Sequence, residues 1–116
     1  MIKVGDTLPS ATLQEYSEVE GEGCSIGPNP VDVTQAAAGK TIALFALPGA
    51  FTPTCSAKHL PGFVEKADEI KAKGVDEIAC TSVNDAFVMG AWAKASGVDG
   101  KVTMLADGNG TFAKAV

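Results

Sequence analysis

An α/β domain with a mainly parallel central sheet is the fold class this chain predicts, on three observations. From residue 41 the pattern runs strand, helix, strand, helix, strand, and strands alternating with helices pair in parallel through right-handed crossovers. The 116 residues allow one domain, 1–116, with one core of ordinary size. The hydrophobic fraction of 46% is that of a folded globular chain, not a disordered one.

The elements follow in order. Gly5-Asp6-Thr7-Leu8-Pro9 is an irregular entry, and the weakly alternating Ala11–Tyr16 reads as an edge strand. Glu18-Val19-Glu20-Gly21-Glu22-Gly23 is acidic and glycine-rich, so it reads as a turn or loop with a solvated acidic face. Gly27-Pro28-Asn29-Pro30 is a second cluster of breakers, and Val31-Asp32-Val33 is too short to assign. Thr34 is placed to cap a brief helical turn that Gly39 ends. Thr41–Leu47 is an unbroken apolar run, a buried strand. The segment from about Cys55 to Lys73 has the helical period, with Leu60, Phe63, Val64, Ala67 and Ile70 on one face; Pro61 inside it removes a backbone hydrogen bond and should bend the helix or shift its start. Glu77–Val83 is the second strand. Asn84 or Asp85 caps the next helix, whose expected face is Val88, Ala91, Trp92 and Ala95. Phe87, Met89 and Trp92 are expected in the core or an interface. Val102–Ala106 is the third strand, Asp107–Gly110 a turn, and Thr111–Lys114 the start of a further helix.

Composition removes several function classes. The net charge of −5 argues against nucleic acid, because a phosphate-binding surface needs clustered cations. No apolar run has the length of a membrane span. Met1-Ile2-Lys3-Val4-Gly5-Asp6 lacks the basic-then-apolar pattern of a secretory signal, so the cytoplasm is the expected location. Three cysteines, Cys24, Cys55 and Cys80, in a chain with no export signal argue against a structural disulfide framework.

The chemistry concentrates at Pro48-Gly49-Ala50-Phe51-Thr52-Pro53-Thr54-Cys55. Pro53 suits the first helical position and Thr52 the N-cap, with its hydroxyl taking an orphan backbone N–H. Cys55 then falls in the first helical turn, where free N–H groups and the helix dipole favour the thiolate, the nucleophilic form. His59, four residues on, can share a face with Cys55; a structural histidine is the plain reading and a Cys–His pair the sharper one. No paired short spacing of Cys and His supports a metal site. Cys80 lies mid-strand, where core packing is the plain reading. Cys24 sits in the acidic loop region.

This strand–loop–Cys–helix segment resembles the peroxiredoxins, in their five-type (type II) subfamily. The family motif Pro-x-x-x-Thr-x-x-Cys is met by Pro48, Thr52 and Cys55. Lys58-His59-Leu60-Pro61-Gly62-Phe63 and Gly74-Val75-Asp76-Glu77-Ile78, running into Ser82-Val83-Asn84-Asp85, look like that subfamily in particular. The resemblance implies a thioredoxin-like fold. It implies a thiol-dependent peroxidase, in antioxidant defence and redox homeostasis, in which Cys55 attacks the O–O bond of hydrogen peroxide or an alkyl hydroperoxide and becomes a sulfenic acid. Thr52 would align the peroxide and Pro48 would shield the cysteine. Cys80, as in some plant members, and Cys24 are the candidate resolving thiols; glutathione, glutaredoxin or thioredoxin would serve as external reductant. No metal, flavin or nicotinamide is implied, and a homodimer is expected.

The chain departs from that family in one respect: all nine of its basic residues are lysines. The family holds thiolate and peroxide with an arginine from a later strand, and lysine does not copy the planar guanidinium fork. The chain also reads as stopping where the subfamily continues, so the C-terminal strands, last helix and arginine are expected to be missing and one sheet edge to be open. Three readings follow: a peroxidase incomplete at its C-terminus, a redox-sensing or disulfide-exchange thiol protein, and a non-catalytic fragment that associates with a full-length partner. The first is the reading adopted.

Overall fold

The computed structural model describes residues 2–17, 27–98 and 101–116. The elements run β1 (Thr12–Ser17), β2 (Gly27–Asp32), α1 (Val33–Ala37), β3 (Ile42–Ala46), a π-helical turn (Cys55–His59), α2 (Leu60–Glu65), α3 (Ala67–Ala72), β4 (Glu77–Ser82), α4 (Ala86–Ala95), β5 (Thr103–Ala106) and α5 (Thr111–Ala115). The strands form one sheet in the order β2-β1-β5-β4-β3.

The parallel part is β3-β4-β5, as the alternating pattern predicts. Phe45 pairs with Cys80, and Cys80 with Met104. The sheet as a whole is mixed, because β1 runs antiparallel to both β2 and β5. The expected edge strand at Ala11–Tyr16 is therefore interior, and the two outer strands are β2, the segment read as a breaker cluster, and β3, the expected buried strand, which buries only Phe45. Proline is tolerated on an edge strand when its missing N–H faces outward. Pro28 and Pro30 lie two residues apart, so their missing donors fall on the same side of the strand.

Local chemistry sets the ends of the elements. Asp32, not Thr34, caps α1: its carboxylate accepts from the backbone N–H groups of Thr34 and Gln35, and the Thr34 hydroxyl donates to it too. Asp85 caps α4 by accepting from Val88 N at 2.8 Å. Asp107, read from sequence as part of a turn, is buried and caps α5, accepting from Phe112 N and Ala113 N. The expected single helix from Cys55 to Lys73 is three pieces. Pro61 supplies no N–H, and the chain opens there into a π-helical turn in which Leu60 N donates to Cys55 O.

Two clusters pack the two faces of the sheet. Phe45, Cys80, Ile78 and Met104 meet Leu60, Ala67, Met89 and Trp92 on the helical side. Leu13, Ala79 and Leu105 meet Val33 and Phe112 on the other. The expected face of α4 is corrected: Ala86, Met89 and Trp92 are buried, whereas Ala91 and Ala95 are exposed and Val88 is half-buried. The α4 sequence AFVMGAWAKA is apolar on nearly every side, so composition does not select a face. Gly90 does. A Cβ at Gly90 would lie 2.6 Å from Tyr16 Cδ1, so only glycine lets α4 approach β1 this closely.

Candidate active site

The site lies where β3 ends and the helical segment begins. Leu47 N extends the strand pairing by donating to Thr81 O at 3.2 Å. Pro48 follows, exposed at the strand end. The chain then turns sharply through Gly49, Ala50 and Phe51, and Phe51 takes a φ of +62°, the left-handed region that non-glycine residues rarely enter. A Cβ on Gly49 would press on Thr52 Cγ2 at 3.3 Å, so the turn is tight as well as strained.

Thr52 is the N-cap of the helical segment, since Ser56 N donates to Thr52 O at 2.9 Å, and Pro53 occupies the first helical position. The expected role of the Thr52 hydroxyl is corrected: it donates to Gly49 O at 2.8 Å and closes the loop. Cys55 lies in the first turn, as the motif predicts, and is buried with 6% exposure. In α-helical geometry the N–H groups of Thr54 and Cys55 lack intrahelical acceptors at this end.

The other predicted residues divide. His59 packs its ring against Phe45 and Phe63, with centroids 5.1 and 5.8 Å away, which is the structural reading. Cys80 is fully buried in β4. Burial first, and then the neighbouring Cys55 charge, push its thiol up to about 12, which keeps it protonated. Cys55 and Cys80 are both free thiols. Cys24 and the acidic stretch Glu18–Gly23 lie outside the described residues. Among the described residues no group of three or more His, Cys, Asp and Glu is placed to hold a metal ion.

Two residues that the motif reading did not single out for the site hold it in place. Asn84, just past β4, accepts from Ala50 N at 2.8 Å and from the Ser82 hydroxyl at 2.8 Å. Trp92, 1% exposed in α4, donates its indole N–H to Ser56 Oγ at 3.0 Å. Asn84 carries a signal in the sequence: it follows the carboxyl end of a parallel strand, where α/β sheets gather their functional groups. The same position also fits a helix cap. The Trp92–Ser56 contact spans 36 residues and has no local signal.

The redoxin family model matches residues 3–116. Peroxiredoxin-2C of Oryza sativa subsp. japonica is 50% identical over 115 residues, which cover 99% of this chain and 67% of that protein. The chain belongs to the redoxin family and, within it, to the type II peroxiredoxins. This peroxiredoxin is also 57% identical to chloroplastic Peroxiredoxin-2E-2 of Oryza sativa subsp. japonica, over 93% of its own length and 46% of the relative's. It spans about half the length of the first two curated relatives it matches. Reduced Prx3 of Vibrio vulnificus, solved in complex with hydrogen peroxide, superposes with a TM-score of 0.90 at 50% identity, covering 99% of this chain and 68% of that one. The thioredoxin-like fold implied by the resemblance is thus shared with its solved relatives, and in this chain the sheet is mixed.

Proposed function

We propose that this chain is a thiol-dependent peroxidase for hydrogen peroxide and alkyl hydroperoxides, with Cys55 as nucleophile. One observation carries the reading: a single cysteine is buried in the first turn of a helical segment that begins at Pro53, behind a strained loop closed by Thr52. In the proposed reaction Cys55 Sγ attacks one oxygen of the peroxide and the O–O bond breaks. The leaving oxygen takes a proton and departs as water or an alcohol, and Cys55 becomes a sulfenic acid. A thiol then condenses with the sulfenic acid, releasing water and forming a disulfide, and a second thiol restores Cys55.

Thr52 is proposed to align the peroxide. Its hydroxyl hydrogen is committed to Gly49 O, which leaves oxygen lone pairs to accept from a hydroperoxide O–H. Backbone N–H groups at the helix start are the proposed anion donors. With no arginine in the chain, turnover should fall short of an arginine-assisted site by about 10²–10³, the typical cost of one missing donor. Pro48 is proposed as a rim that limits water entry from the exposed end of β3.

An external thiol, glutathione, glutaredoxin or thioredoxin, is the proposed reductant. The burial and high pKa of Cys80 support this over direct resolution from the folded state. Homodimerisation is proposed through Phe51, Val83 and Phe87, which are 55%, 49% and 60% exposed at one end of the molecule. Val83 precedes the Asn84–Asp85 pair, Phe87 lies two residues after it, and Asn84 holds Ala50, the neighbour of Phe51. Exposed apolar clusters of this kind mark interaction surfaces.

The deciding experiment mixes the reduced chain with hydrogen peroxide and follows thiol loss beside a Cys55→Ser control. A rate orders of magnitude above free cysteine, absent in the control, supports the reading. A rate like that of free cysteine overturns it and favours a sensing or exchange role.

A further inference from the structure

We propose that Asn84 and Trp92 are positioning residues for Cys55, forming a two-point clamp that the β4–α4 unit places on the Gly49–Ser56 segment. The inference deepens the peroxidase reading, and its kinetic arm rests on that reading.

The clamp grips on both sides of the cysteine. Upstream, Asn84 Oδ1 accepts from Ala50 N, five residues before Cys55. A backbone N–H only donates, and the Ser82 hydroxyl donates to the same oxygen, so the orientation of the carboxamide is determined by its partners. This bond sits one residue from Phe51, whose left-handed backbone costs about 1–2 kcal/mol. Such a conformation persists only where its surroundings over-determine it, and the Asn84 and Thr52 hydrogen bonds bracket it. Downstream, the indole N–H of Trp92 donates to Ser56 Oγ, one residue after Cys55. Trp92 is 1% exposed, so without Ser56 its N–H would be a buried, unpaired donor.

Both grips come from one rigid piece. Asn84 lies between β4 and α4, and Trp92 lies two turns along α4. Cys55 is held between them at 6% exposure, at the start of the π-helical turn. The Ser56–Trp92 bond opposes outward displacement of the backbone that carries Cys55. For the loop to relax toward ordinary backbone geometry, the Asn84–Ala50 bond must break. The positioning role requires neither residue to touch the peroxide.

The test pairs disruptive and conservative variants. Asn84→Ala and Ser56→Ala remove the acceptors; Asn84→Asp and Ser56→Thr keep an acceptor oxygen; Trp92→Phe removes the indole donor while keeping an aromatic ring in the core, should a larger change fail to fold. Three quantities are read: the rate constant for Cys55 oxidation by hydrogen peroxide, iodoacetamide labelling of Cys55 relative to buried Cys80 by mass spectrometry, and the unfolding midpoint. Loss of one such bond should slow oxidation about tenfold and raise the Cys55-to-Cys80 labelling ratio about tenfold, while the acceptor-keeping variants stay within about threefold of the parent. Equal labelling gains at both cysteines, or no rescue by the conservative variants, would reduce the effect to global destabilisation and overturn the clamp. Unchanged rates and labelling in the alanine variants would overturn it too. If the parent chain reacts with peroxide no faster than free cysteine, the peroxidase reading fails, and the labelling ratio still decides the clamp.

Discussion

The two faces of the sheet are built from the same strands and are packed quite differently. On the helical face, Phe45, Ile78, Cys80 and Met104 are covered by α2, α3 and α4, and Cys55 and Trp92 are sealed among them. On the opposite face, short α1 and α5 cover Leu13, Ala79 and Leu105. A groove of about 440 Å³ remains there, walled by Val31, Ile42, Leu44 and Leu105. Glu15 and Glu77 line that groove, and Thr81 Oγ1, buried on this face, has no hydrogen-bond partner among the described residues. Alternation along each strand sends successive side chains to opposite faces, so one strand serves both environments. The comparison teaches that the dense face encloses the Cys55 thiol among packed side chains, while the open face accommodates the carboxylates Glu15 and Glu77.

The sharpest way to break this contrast is kinetic. With Cys55 as the proposed nucleophile, Cys55→Ser should lower peroxide consumption by about 10³-fold or more. Leu44→Ala, on the open face, should leave the rate within about twofold, because Leu44 already stands 38% exposed on the face opposite Cys55. Comparable losses in both variants, measured in one peroxide-consumption assay, would dissolve the distinction.

Stability gives the next largest effect. Trp92→Ala removes a fully buried aromatic and should cost about 3–5 kcal/mol. Leu44→Ala should cost less than about 1 kcal/mol, because little of the side chain leaves a packed environment. Urea unfolding of the two variants would show whether the faces differ as described; equal midpoints would refute it.

Gly90→Ala probes how closely the dense face is fitted. Alanine gains about 1 kcal/mol of helix propensity. Its Cβ, however, would meet Tyr16 Cδ1 at 2.6 Å, Cγ at 2.9 Å and Cβ at 3.1 Å, so ring rotation alone does not clear the clash. Overpacking costs about 1–3 kcal/mol, so the net effect should be destabilising. A higher thermal midpoint in Gly90→Ala would mean that α4 lifts from β1 at little cost.

The smallest effect belongs to the open face and depends on pH. Burial first, and then the Glu77 charge, raise the Glu15 carboxyl above its ordinary value of 4.5. A raised carboxyl binds its proton more tightly in the folded state. It therefore contributes stability that is present below the unfolded value and lost as pH rises through the folded one. Glu15→Gln should unfold at a slightly higher midpoint than the parent at pH 7, and the gap should close below about pH 4.5. A Gln variant less stable than the parent at pH 7 would show that Glu15 has a favourable partner.

Much of this was readable from the chain alone. Pro53 presets its own φ, Thr52 precedes it, and Cys55 follows within one helical turn; these are local facts of backbone chemistry, and the structure keeps them. The apolar runs of β3, β4 and β5 and the Leu60–Ile70 face are local patterns too, and they are where the sequence places them. Other features were set by partners distant along the chain. β2 carries two prolines and becomes a strand because the neighbouring β1 accepts it in antiparallel register as an edge. α4 is apolar on nearly every side, and its buried side was decided by Tyr16 fitting against Gly90. The Thr52 hydroxyl turned to Gly49 because the loop folds back on itself. Asn84 and Trp92 reach Ala50 and Ser56 across 34 and 36 residues. Sequence determined the setting of Cys55, the proposed nucleophile, because that setting is local to one turn. Tertiary structure decided the Asn84 and Trp92 contacts on either side of it, because hydrogen-bond geometry between distant segments exists only once the sheet has brought them together.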